Sequence, residues 1–210
     1  MNIINYTKQY LDKEDKKIIL EVLNSSNLTQ GKYVNKFENN LKKYFNSKFC
    51  TAVSSGTAGL HLVSKALGWD NKDYIVTTPI TFIASANSIE YSNANTLLCD
   101  IEDKYNTLDP NKLEDLIKKN IKKNRRIRAI IAVDYGGMLC DWNALKFISN
   151  KYNIILINDN CHALGSRYNN NKSYALNYAH IVVQSFHPAK NITTGEGGAV
   201  LTNIKKINDK

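Results

Sequence analysis

The chain has 210 residues, 43% of them hydrophobic and 22% charged, with a formal net charge of +9. That is enough for one sizeable core, short for two complete domains, and ordinary for a globular protein. The longest apolar runs, such as "AIIAV", fall far below the ~18 residues of a membrane span, and "MNIINYTKQYLDKEDKK" at the start lacks a signal-peptide stretch. A cytoplasmic, membrane-free protein is therefore expected.

In chain order, helical periodicity is read over 14–26 and 35–45, then a strand over "CTAVS" (50–54) and a helix over 56–68. A strand "YIVTTP" (74–79), a helix over 82–92, a strand "NTLLCD" (95–100) and a helix over 110–124 follow. The last third gives strand "IRAIIAVD" (127–134), helix 141–152, and strands "NIILIND" (153–159), "HIVVQSF" (180–186) and "GAVLTN" (198–203). Strands that are continuously apolar and separated by helices predict an α/β fold: a mainly parallel sheet of seven strands with helices on both faces. Right-handed crossovers are expected.

The positive excess concentrates in "KKNIKKNRRIR" (118–128), at the polar end of a helical segment. No aromatics are interleaved with it as a stacking platform requires, so it reads as a solvated helix end and no nucleic-acid partner is expected. Cys50, Cys99, Cys140 and Cys161 are widely spaced with no CxxC pair. That spacing predicts neither a disulfide framework nor a metal centre, and the first three sit in or beside apolar runs as buried, inert thiols.

The chemistry-bearing residues lie just past the carboxyl ends of strands, where such sheets bind ligands. Ser55-Gly56-Thr57 at a strand-to-helix turn has the parts of a phosphate cradle: glycine for close approach, free helix N–H groups and hydroxyls. The same turn also caps helices without a ligand. Asp159 at a sheet edge needs a partner, either a protonated pyridine nitrogen or the N-terminus of a following helix. Phe82 offers a flat face for a ring. Lys190, within "SFHPAKNITTGEGGAV", is a lysine amine of the kind that forms Schiff bases with carbonyl compounds and pyridoxal phosphate. Phosphate turn, aromatic plate, carboxylate and lysine on successive strand ends make a pyridoxal phosphate constellation.

"SSGTAGLHL", "TTPITFIASANSI", "INDNCHALGSRY" and "SFHPAKNITTGEGGAV" resemble the DegT/DnrJ/EryC1/StrS family of nucleotide-sugar aminotransferases. "YLDKEDKKIILEVLNSSNLTQGKYVNKFE" and "AVDYGGMLCDWNAL" are similar to its pseudaminic acid branch, which aminates a UDP-linked 4-keto-6-deoxy amino sugar. The resemblance implies the large domain of a fold-type I enzyme over 31–210, with 1–30 a substrate-side segment of the same unit. It implies pyridoxal 5'-phosphate as cofactor, a UDP-sugar substrate, L-glutamate as donor and a homodimer. It assigns Lys190 to covalent and proton-transfer catalysis, Asp159 to the pyridine nitrogen, Gly56, Thr57 and Ser185 to the phosphate, Phe82 to the ring face and His162 to the ring hydroxyl. It matches Tyr6, Ser26, Asn27, Leu28 and Thr29 to nucleotide-sugar contacts. Gly56 and Gly59 stand where the branch has other small residues, and Asn191 where it has proline.

Relatives continue into a small C-terminal domain, so this chain is expected to be a truncated form. Four other readings are weighed. One is a dehydratase of the same fold, which Lys190 opposes because such relatives carry histidine there. The others are an inactive remnant, a transaminase for a different nucleotide-4-keto sugar, and a metal hydrolase using Asp159, Cys161, His162 and His187, which lacks ordered ligand spacing. His162 also has a bland reading, as a satisfied helix histidine.

Overall fold

The computed structural model describes residues 7–210. Its elements are α1 (Lys13–Leu23), α2 (Lys32–Phe45), β1 (Phe49–Val53), α3 (Gly56–Leu67), β2 (Asp73–Thr77), α4 (Ala84–Glu90), β3 (Asn95–Leu98) and α5 (Pro110–Ile121). They continue with β4 (Arg126–Val133), α6 (Trp142–Tyr152), β5 (Ile155–Asp159), α7 (Ala175–Tyr178), β6 (Ile181–Ser185), β7 (Gly198–Thr202) and α8 (Lys205–Asn208).

The helices start where short polar side chains satisfy the free N–H groups of the first turn. Asp12 and Asp15 form a reciprocal box at α1, and Ser55, Asp109 and Asp141 cap α3, α5 and α6. Left-handed Gly68 and Asn153 end α3 and α6. Several boundaries differ from the periodicity. α1 stops at Leu23, not Ser26, because the Ser25 hydroxyl donates back to the Val22 carbonyl at 2.7 Å and turns the chain. α2 begins at Lys32 because Gly31 reverses the backbone at a φ of 78°. The short helices α7 and α8 carry too few residues for a 3.6-residue period to show.

All seven strands join one sheet in the order β1-β7-β6-β5-β4-β2-β3. Pairs β3–β2, β2–β4, β4–β5 and β5–β6 are parallel; β7 runs antiparallel to both β6 and β1. Adjacent residues in the central strands enter different layers. Ile130, Leu156 and Val182 pack with Phe45, Leu113 and Trp142 of α2, α5 and α6. Ile131, Ile157 and Val183 pack with Leu60, Val63 and Ile89 of α3 and α4. Both faces are therefore covered, which is why these strands read as unbroken apolar runs. Each such buried aliphatic side chain contributes about 1.5–3 kcal/mol.

Cys99 and Cys140 are buried as expected, but Cys50 is only half-buried because β1 is an edge strand; burial still pushes its thiol up to about 12. Among the described residues no helix is long and apolar enough to cross a membrane. Within 7–30 the one helix, α1, buries none of its residues.

Candidate active site

At the carboxyl ends of β1, β5 and β6 the sheet opens into a cleft of about 550 Å³. Gly56, Thr57, Phe82, Asp159, His162, Ser185 and Lys190 all line it, so residues far apart in sequence share one space. Ser26, Asn27, Leu28 and Thr29 do not line it and are exposed on the turn between α1 and α2. Tyr6 lies outside the described residues.

One wall is the β1–α3 turn. The Ser55 hydroxyl accepts from Ala58 N at 3.1 Å, while Gly56 and Thr57, the first residues of α3, line the cleft. Such a helix start carries partial positive charge and suits an anion. Two glycines are required here by close approach. A Cβ on Gly56 would lie 2.9 Å from Ser185 Cβ and 3.0 Å from Cys161 Sγ. A Cβ on Gly198, across in β7, would lie 2.5 Å from the Ser55 carbonyl carbon.

Asp159 ends β5 and is 5% exposed. Its Oδ2 accepts from the Ser85 hydroxyl at 2.8 Å, and its Oδ1 more weakly from Cys161 N at 3.3 Å. No helix follows it: 160–170 is a succession of turns, through Gly165 at a φ of 97°, so the helix-capping reading of Asp159 is wrong. The same turns correct the helical reading of His162. Its Nδ1 accepts from Gly136 N at 3.1 Å, which assigns the ring proton to Nε2 in the neutral form. Burial, and then the Lys190 charge, hold His162 below the usual imidazole range.

The Gly136 amide is itself held. Asp134, buried at the end of β4, accepts from Cys140 N at 3.0 Å, Trp142 Nε1 at 3.1 Å, Asn160 Nδ2 at 2.9 Å and the Tyr174 hydroxyl at 2.6 Å. Those contacts anchor the start of the Tyr135–Gly137 turn, which Gly137 N closes onto the Asp134 carbonyl at 3.1 Å and which presents Gly136 N to His162. Burial outweighs these donors and pushes the Asp134 carboxyl up to about 6.

Lys190 is half-buried in the loop after β6. Its backbone N–H donates to the His187 carbonyl at 2.9 Å, and Nζ has no hydrogen-bond partner among the described residues. The threonines beyond it fold the loop back: Thr193 Oγ1 and Thr194 N both reach the Phe186 carbonyl at 3.0 Å. The hydroxyl- and glycine-rich stretch thus closes a turn that leaves one amine facing the cleft.

The sequence pattern described as the DegT/DnrJ/EryC1/StrS aminotransferase family matches residues 9–210. The chain belongs to that family. It is 39% identical over 208 residues to a UDP-4-amino-4,6-dideoxy-N-acetyl-β-L-altrosamine transaminase of Campylobacter jejuni, covering 99% of this chain and 54% of the relative. Its fold is similar to a Helicobacter pylori aminotransferase involved in the biosynthesis of pseudoaminic acid, with a TM-score of 0.85 and 36% identity over 98% of this chain and 53% of that one. It is also similar to NtdA of Bacillus subtilis, solved with bound cofactor PMP, with a TM-score of 0.82 and 26% identity over 94% of this chain and 44% of that one. The chain spans about half the length of the curated relatives it matches.

Set within this family, the cleft contains residues that the sequence reading passed over. Ser85 and Asp134 hold site residues from behind, and Tyr135 and Glu196 line the walls. Ser85 sits in an unremarkable helical stretch whose partner is 74 residues away, so only the fold discloses it. The "DYGG" at 134–137 did carry a signal: two successive glycines directly after an apolar strand mark a tight turn at the ligand edge.

Proposed function

We propose that this chain is the cofactor-binding part of a pyridoxal phosphate-dependent nucleotide-sugar aminotransferase. Its substrate is a UDP-linked 4-keto-6-deoxy amino sugar, L-glutamate is the amino donor, and the complete enzyme is a cytoplasmic homodimer. The observation that carries this reading is the convergence of an anion-ready helix start, a buried carboxylate and a lysine without a partner among the described residues around one cleft. The names of the relatives support the substrate class and the aminotransferase family supports the reaction.

The residues present fit the cofactor. Gly56 leaves open the space that a Cβ would fill against Ser185, and the α3 N–H groups with the Thr57 and Ser185 hydroxyls supply donors for a phosphate. Asp159 supplies a carboxylate for a protonated ring nitrogen, Phe82 an aromatic face and His162 an Nε2–H donor for a ring oxygen. When bound, pyridoxal phosphate supplies an electron sink for carbanion chemistry and a carbonyl carbon for amine exchange.

Around it, Lys190 Nζ is the nucleophile and, when free, the base that takes up and returns a proton. Asp159, held by the Ser85 hydroxyl, accepts from the ring nitrogen and keeps that proton in place. Burial, and then the Lys190 charge, hold His162 towards its neutral form, with its Nδ1 lone pair engaged by Gly136 N. It therefore orients without competing for protons.

The test is absorbance of the purified chain with added pyridoxal phosphate, then borohydride trapping and peptide mapping. An adduct confined to Lys190, and absent from K190A, is expected. A folded chain that is trapped only at other lysines, or equally in K190A, refutes the assignment.

A further inference from the structure

Asp159 can serve a ring nitrogen only if its carboxylate is held at one angle. Its one backbone donor among the described residues holds it weakly. The Cys161 N–H is 3.3 Å from Oδ1, near the limit for a useful hydrogen bond. The strong contact comes from a different element, where the Ser85 hydroxyl of α4 lies 2.8 Å from Oδ2. Ser85 is fully buried, so water cannot replace that donor.

The direction of the contact follows from proton counting. An ionised carboxylate only accepts, so the single Ser85 proton points to Asp159. Thr81 Oγ1 is 2.8 Å from Ser85 Oγ, and Ser85 has no second proton to give. Thr81 has one proton and two acceptors in reach, Ser85 Oγ at 2.8 Å and the Phe82 carbonyl at 3.2 Å; the shorter contact, which Ser85 cannot donate into, takes it. The result is a one-way chain, Thr81 to Ser85 to Asp159, in which each hydroxyl polarises the next. The chain starts on the cleft wall, because Thr81 lines it, and runs behind Phe82, whose carbonyl accepts from Ser85 N at 3.1 Å. One short turn, 81–85, thus carries both the aromatic face and the support for the carboxylate.

We infer that Ser85 is the positioning residue of the site: its hydroxyl, oriented by Thr81, fixes the Asp159 carboxylate. This rests on the proposed cofactor role of Asp159 only for its consequence, since the hydrogen-bond chain exists without a ligand. Removing the hydroxyl leaves a buried carboxylate oxygen without a donor. A lost bond to a charged group is large enough to weaken pyridoxal phosphate retention about tenfold.

The experiment uses the whole chain as wild type, S85A, S85T and T81V, with denaturant unfolding to confirm that each folds. In the cofactor-free chain the 13C shift of the Asp159 carboxyl is measured. It is expected to move in S85A, to return towards wild type in S85T, and to move less in T81V. Chains loaded with 15N-labelled pyridoxal phosphate are then titrated, and the ring nitrogen of S85A is expected to lose its proton at lower pH. An unchanged carboxyl shift in folded S85A overturns the inference. If the carboxyl shift responds but no variant, wild type included, binds the cofactor, the positioning role stands and the proposed function fails. If S85A binds the cofactor with wild-type affinity and ring-nitrogen titration, Ser85 does not position the site.

Discussion

Asp134 sets four hydrogen-bond donors against the cost of burying a charge, and the balance can be measured. The donors lower its affinity for a proton, while complete burial raises it; burial wins, and the carboxyl rises from the ordinary 3.8 to about 6. The sign of the pH effect follows. Between about pH 4 and 6 the folded state holds more protons than the unfolded state, so stability falls as pH rises through that window. A shift of this size corresponds to about 3 kcal/mol, fully present below the unfolded value and lost above the folded one.

D134N keeps the shape but cannot ionise, so its stability lacks this component. Urea unfolding of both proteins at several pH values from 4 to 7.5 isolates it, because the other groups that titrate there, such as His162 and His180, are common to both and cancel. The wild-type advantage over D134N is expected to shrink by about 3 kcal/mol as pH rises across the window. A flat difference would mean the carboxyl is not perturbed. An advantage that grows with pH would mean the four donors outweigh burial, and would refute the reasoning.

Other consequences are more local. G198A drives a methyl into the Ser55–Gly56 backbone, which has no flexible side chain to yield, so it should cost about 1–3 kcal/mol and weaken phosphate binding, read by unfolding and by cofactor titration. K190M removes a charge that holds His162 down, so NMR titration of His162 should show a higher pKa than in wild type. F82A should change stability by less than about 0.5 kcal/mol, since the side chain is 62% exposed, yet reduce cofactor affinity measurably. Cys99 and Cys140 should react with a thiol reagent only on unfolding, because both are buried and their thiols are raised.

What the sequence discloses depends on whether the cause is local. The central strands are legible because burial on both faces writes unbroken apolar runs such as 129–133 into the chain. The residues lining the cleft are legible because glycine, lysine and carboxylate fall at strand ends, where position alone suggests chemistry. Helix ends are read less well: Ser25 and Gly31 decide them through a side-chain bond and a backbone angle that periodicity does not register. The turns after Asp159 left a helix open as the alternative setting for Asp159 and His162, because small residues fit both. Ser85 is invisible for a different reason, since a serine in a short helix acquires meaning only from a carboxylate brought over from another strand.

The place of β7 in the sheet has a consequence for synthesis. The β1–α3 turn reaches Ser185 and Lys190 only because β7 lies between β1 and β6, pairing Phe49 with Thr202 on one side and Ser185 with Gly198 on the other. β1 leaves the ribosome well before β7 and waits unpaired for it. Closing so long a loop is costly and slow, and its entropy is recovered only when β7 docks. Nascent chains that stop short of residue 198 lack the strand that sets the β1–α3 turn beside Ser185, so the proposed anion cradle forms only in the last stage of this sheet's assembly.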